Sequence, residues 1–186
     1  MINYTPHNIS TPERVLTDVP SGWRGLETIL GDIVERFCEK TETAVEFGVE
    51  YGFSTVALSN YFKWVIGVDH FMGDEHAGFT PEGVDRYVET KERLSRYPNI
   101  QLAPESWEVF TVKHNSAKYD LIHVDAKHDF YNTYNLTHWA CRHAKVVIAH
   151  DTQWFCDVAP ALERVAKDLG KTAYNYPEFN GLGILV

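Results

Sequence analysis

Basic residues are scarce in this chain: 17 lysines and arginines stand against 26 aspartates and glutamates, a formal net charge of -9. A duplex nucleic-acid binder ordinarily presents a basic face, so this balance argues against nucleic acid or an anionic membrane surface as the main partner. Cysteine is also scarce. Cys38, Cys141 and Cys156 form no CxxC pair, which excludes a disulfide framework. They fit reduced thiols, packed as small hydrophobes, in a cytoplasmic compartment. No apolar run approaches the ~20 residues of a membrane helix. The polar opening MINYTPHNIS lacks the apolar stretch of a signal peptide, and none is expected.

The 186 residues, 44% of them hydrophobic, suit one domain with a proper core. Residues 1–22 carry Pro6, Pro12 and Pro20 and read as an arm, with a short helical turn after Thr11. From Trp23 to Lys40, Leu26, Ile29, Leu30, Ile33, Val34 and Phe37 recur at helical spacing. We therefore divide the chain into an arm and helix (1–40) and a main domain (41–186). In the main domain short apolar runs alternate with helical patterns. Strands are expected over 43–48, 64–69, 100–103, 119–126, 145–151, 171–176 and 181–186. Helices are expected over 54–62, 81–97, 106–114, 129–143 and 157–169, with Pro81 in the first turn of the second. Continuous apolar strands alternating with helices imply an α/β fold, a Rossmann-like doubly wound parallel sheet. The last two strands are too close in sequence for a crossover, so the seventh strand must run antiparallel. Ligands of such sheets bind at the carboxyl ends of the strands.

The first strand runs into Glu46-Phe47-Gly48-Val49-Glu50-Tyr51-Gly52-Phe53-Ser54-Thr55. The glycine spacing is neither that of a dinucleotide loop nor that of a P-loop. Its glycines permit a tight turn and close approach of backbone to ligand, and Ser54 or Thr55 can cap the next helix. A carboxylate at Glu46 repels phosphate and favours a cationic group. Asp69 ends the second strand, 23 positions after Glu46, where a ribose diol is gripped in nucleoside-binding sheets. After the third strand come Glu105 and Ser106, able to bond an adenine edge, and Trp107, which offers a stacking face.

A cation beside a ribose and an adenine describes S-adenosylmethionine (SAM). Residues 43–186 resemble the class I SAM-dependent methyltransferases, including their reversed last strand at NYPEFNGLGILV. The resemblance implies a SAM site formed by Glu46, Gly48, Tyr51, Gly52, Ser54, Asp69, Glu105, Ser106, Trp107 and Asp125. In it, Glu46 lies by the methionine end and Asp69 binds the ribose.

Strand four ends in Ile122-His123-Val124-Asp125-Ala126-Lys127-His128, and strand five in Ala149-His150-Asp151. Asp125 and Asp151 therefore fall on one rim. Two carboxylates suit Mg²⁺, whereas the imidazoles of His128 and His150 favour a softer divalent ion. The arrangement resembles a branch of small-molecule O-methyltransferases whose strand-four motif reads V-D-x-x-H. That resemblance implies Asp125 and Asp151, with His150, as ligands of a divalent metal such as magnesium, and His128 as general base assisted by Asp125. This chain carries His150 where many such relatives carry an acid. A metal-free site using His128 is the alternative, as is an Asp125 that only orients the cofactor's amino group. His123 reads as a buried structural histidine.

Residues 70–80 form a long loop able to cover the cofactor. Trp23, Trp154 and Phe155 could line an acceptor pocket that is open, shared across a homodimer, or built by the arm. The expected activity is methylation of a small-molecule hydroxyl. A SAM-binding protein without turnover is the first rival, and a methyltransferase on a macromolecule the second. Asp125-Ala126-Lys127-His128 is not the N/D-P-P-Y/F motif of base amino-methylation.

Overall fold

The computed structural model describes residues 1–75 and 78–186. In chain order the elements are β1 (Ile2–Asn3), α1 (Glu27–Phe37), β2 (Thr43–Phe47), α2 (Phe53–Ser59), β3 (Trp64–Val68), β4 (Gly73–Asp74), β5 (Gly78–Phe79), α3 (Arg86–Leu94), β6 (Ile100–Ala103), α4 (Trp107–Lys113), β7 (Tyr119–Val124), α5 (Phe130–His143), β8 (Ala144–His150), α6 (Val158–Leu169), β9 (Ala173–Tyr176) and β10 (Leu182–Leu185). Apart from the small β4–β5 hairpin, the strands form one sheet in the order β1-β9-β10-β8-β7-β2-β3-β6. β8, β7, β2, β3 and β6 are mutually parallel. β10 runs antiparallel to both β8 and β9.

The sheet thus has eight strands among the described residues, not the seven expected. The extra edge strand comes from the arm, where Ile2 and Asn3 pair in parallel with Tyr174 and Asn175. Two residues carry no readable period, and tertiary contacts fix them. The buried Tyr4 hydroxyl donates to Asp32. Asp32 also accepts the backbone N–H of His7 and of Asn8, at 3.0 and 3.1 Å. The turn expected after Thr11 is not helical. α3 starts well after Pro81, because Asp85 caps it by accepting the Val88 N–H at 3.0 Å. Gly52, in the left-handed region at φ 89°, is the N-cap of α2, so neither Ser54 nor Thr55 caps it.

Alternation along the strands sends side chains to two faces. Ala44, Val65, Leu121, Val146 and Ile148 pack with α1 and α2. Val45, Val68, Ile122, Val147 and Ala149 pack with α4, α5 and α6. Tyr4, Leu16 and Val19 from the arm, and Trp23 just after it, join the first cluster. No described helix is long and apolar enough to cross a membrane.

Candidate active site

A cavity of about 500 Å³ opens at the carboxyl ends of β2, β3, β6, β7 and β8. The glycine loop forms one wall. Gly48 has φ 91°, and a Cβ there would sit 1.8 Å from the Asp125 carbonyl oxygen. Gly52 likewise lies against the Leu94 side chain. These glycines are needed first for contacts within the protein. Gly48, Tyr51 and Ser54 line the cavity, whereas Gly52 does not.

Asp69 also lines the cavity. One of its oxygens accepts the N–H of Val49 and of Glu50, both at 2.9 Å, and the other accepts that of Phe71 at 2.6 Å. It holds the loop as well as facing the space where a ligand would lie. Glu105, Ser106 and Trp107 border the same space. Glu105 is paired with Lys113, Ser106 precedes α4 as its N-cap, and Trp107 packs against the core beneath.

Glu46 departs from the expected placement. It is fully buried, with 0% exposure, and is absent from the cavity wall. Its register partner on β7 is His123, whose Nδ1 lies 2.9 Å from Glu46 Oε1, and the other oxygen accepts from the Thr55 hydroxyl. The carboxylate is satisfied from within the protein and has no face toward a ligand. His123 is buried, as expected.

Beside the glycine loop, past the ends of β7 and β8, Asp125, His128, His150 and Asp151 converge on the cavity. His128 Nε2 is 3.2 Å from a carboxylate oxygen of Asp125 and 3.2 Å from one of Asp151. His150 Nδ1 is 3.2 Å from Asp125 and 3.5 Å from Asp151. Its Nε2 lies 3.3 Å from the Phe179 carbonyl. Phe155 stacks on the His128 ring at 4.5 Å. Asp151 adopts φ 63°, which turns its side chain onto the rim.

The electrostatics follow from the alternation of signs. Burial would raise the Asp125 pKa, but the charge of His150 and hydrogen bonds from both imidazoles hold it well below the usual carboxylate range. Burial opposes protonation of His150, yet Asp125 and Asp151 push it up to about 9. Burial likewise opposes protonation of His128, and the same two carboxylates raise it. Asp151 is raised, first by burial and then by Asp125.

Among the described residues, Asp125, His128 and Asp151 each offer a donor atom within 4.8 Å of the others. This oxygen and nitrogen set fits one divalent ion. His150 lies outside that set, its Nδ1 facing Asp125 and Asp151 and its Nε2 the Phe179 carbonyl.

Sequence reasoning overlooked Glu50. It sits in the loop at φ 51° and faces the cavity. The residue as a whole is exposed, but burial of its carboxyl, with Asp125 and Asp69 nearby, raises it to about 7. The loop was readable in the sequence; the direction of this side chain was not. Residues 70–80 form the β4–β5 hairpin at the cavity mouth, except 76 and 77, which lie outside the described residues. Trp23 and Phe155 also border the cavity, as does Trp154, which is 70% exposed.

The doubly wound sheet and the cavity at its strand ends define a ligand-binding α/β protein of Rossmann-like build. Residues 45–160 match the family described as "Methyltransferase domain", and the chain belongs to that family. A protein y4gI of Sinorhizobium fredii is 26% identical over 161 residues, which is 76% of this chain. The match spans only 16% of that longer relative. The fold is shared with a Staphylococcus aureus protein assigned as a caffeoyl-CoA O-methyltransferase. Its TM-score is 0.67 and its identity 15%, covering 90% of this chain and 85% of that one. SMU.1697c of Streptococcus mutans, solved with S-adenosylhomocysteine (SAH), gives a TM-score of 0.62 at 14% identity, over 90% and 98% of the two chains. An rRNA methylase of Streptococcus thermophilus gives 0.58 at 16% identity, over 85% and 93%.

Proposed function

We propose that this protein transfers the methyl group of SAM to a hydroxyl of a small molecule, with His128 as general base. The observation that carries this reading is the position of His128 Nε2, on the cavity wall and 3.2 Å from both Asp125 and Asp151. The cofactor would lie along the glycine loop, its ribose toward Asp69 and its adenine toward Glu105, Ser106 and Trp107. The acceptor would enter from the side of Trp154 and Phe155.

The chemistry is an in-line displacement. The acceptor oxygen forms a bond to the methyl carbon as the carbon–sulfur bond breaks, and that electron pair stays on sulfur. The hydroxyl proton passes to the neutral His128 ring. Because the sulfonium is already activated, the protein's work is to position the acceptor and take this proton. The carboxylates that raise the His128 pKa make it a stronger base, and Phe155 fixes the plane of its ring. Were Asp125, His128 and Asp151 instead to hold a divalent metal, the His128 lone pair would go to the ion, and the metal would supply the activation by lowering the pKa of the acceptor hydroxyl. The acids around the cavity, Glu50, Asp69, Glu105, Asp125 and Asp151, disfavour polyanionic acceptors such as RNA.

Calorimetric titration with SAM and with SAH, each with and without Mg²⁺, tests the cofactor and the metal. Micromolar binding is the expected result. No binding under any condition would overturn the reading, and binding without turnover on any acceptor would favour a SAM-binding protein.

A further inference from the structure

The reaction outlined above leaves a buried polar chain without a role. Trp23 is 1% exposed, and His123 and Glu46 are 0% exposed. The Trp23 indole Nε1–H lies 3.0 Å from His123 Nε2. An indole nitrogen can only donate. His123 Nε2 must therefore accept, and the imidazole proton must sit on Nδ1. From there it is donated to Glu46 Oε1 at 2.9 Å. The other Glu46 oxygen accepts from the Thr55 hydroxyl. Each link has one possible direction, so the chain has a single hydrogen-bonded state: Trp23 to His123, His123 to Glu46, Thr55 to Glu46. A buried carboxylate without such donors would be strongly unfavourable.

The four residues come from four segments: the one following the arm, β7, β2 and α2. Glu46 and His123 are register partners on adjacent strands, and the third position across is Gly67. A Cβ at Gly67 would meet Val49 at 2.8 Å and Thr55 at 3.5 Å. The missing side chain lets the loop and α2 settle onto Glu46. The loop is then held at its other edges, with Asp69 accepting the N–H of Val49 and Glu50, and the Thr90 hydroxyl donating to the Glu50 carbonyl at 3.0 Å. The segment beside Trp23 is tied to α2 a second time, by Arg24 over the Phe53 ring at 4.7 Å.

We infer that Trp23 and His123 are positioning residues of the cofactor site, which set the shape of the glycine loop through Glu46 without needing to touch the cofactor. This rests on the SAM-dependent reading above. It makes the segment after the arm part of the cofactor site.

The test uses the full chain with His123→Gln, His123→Leu and Trp23→Phe. A glutamine can accept from Trp23 with its oxygen and donate to Glu46 with its nitrogen; leucine can do neither. Two quantities are read well below the melting temperature: the Kd for SAH, and amide exchange at Val49 and Glu50 in the ligand-free protein. His123→Leu and Trp23→Phe should each weaken SAH about tenfold and speed exchange at both amides about tenfold. His123→Gln should restore both to within about threefold. Exchange and Kd unchanged in His123→Leu, with only a lower Tm, would reduce the chain to a structural role and overturn the inference. Failure of the glutamine to rescue would overturn it as well. If Trp23→Phe does not fold, the His123 pair decides. If the wild-type protein does not bind SAH, the cofactor reading fails, while the exchange comparison still decides the positioning role.

Discussion

The molecule holds two carboxylate–imidazole assemblies joined through β7, which carries His123 and ends just before Asp125, and they differ in arrangement. Glu46 and His123 are sealed in the sheet, where Trp23 and Thr55 leave each proton one place to be. Asp125, His128, Asp151 and His150 stand on the cavity wall with signs alternating, and each imidazole reaches two carboxylates. The same chemical groups give rigidity in one case and movable protons in the other. The donor-only indole makes the difference: it leaves the Glu46–His123 pair one hydrogen-bonded arrangement, whereas each rim imidazole lies between two carboxylates.

Four substitutions or titrations sharpen that contrast. Glu46→Leu should cost the most stability, about 2–4 kcal/mol in urea unfolding, because it strands the buried donors of His123 and Thr55. A smaller loss would mean the sealed pair relaxes more easily than its geometry implies. His128→Ala should leave SAM affinity nearly intact yet lower turnover by ~10²-fold or more. Full activity in that variant would remove His128 from the base role. Asp69→Ala should weaken SAM binding ~10-fold or more through lost charge-assisted hydrogen bonds and a loosened loop; unchanged affinity would remove the ribose assignment. The pH response should be milder. His150 is raised from 6.5 to about 9, so its stabilising contribution is complete below pH 6.5 and fades as pH rises through about 9. The urea midpoint should fall across that window and do so less in His150→Gln. Because His128 is also raised, the activity limb that requires it neutral should lie above the ordinary imidazole value.

Much of this was legible in the sequence, for identifiable reasons. The apolar runs of β2, β3, β7 and β8 mark strands buried on both faces, and the short link between β9 and β10 forces the reversed strand. The rim was legible because Asp125, His128, His150 and Asp151 all stand at or just past a strand end. What stayed hidden depended on register or on distant contacts. β1 is two residues held by β9. Glu46 looked like a ligand group because nothing local shows that His123, 77 positions on, is its neighbour across the sheet. Glu50 was visible as a loop residue, but its direction depends on a left-handed backbone.

The close approach of Gly48 to the Asp125 carbonyl bears on how this protein could change over time. Every side chain but hydrogen is closed to position 48, so the cofactor loop and the end of β7 must evolve as a unit. Phe79 and Trp154, 72% and 70% exposed at the cavity mouth, carry no such constraint. New acceptors would be acquired there, by swapping rim side chains over a floor that cannot drift.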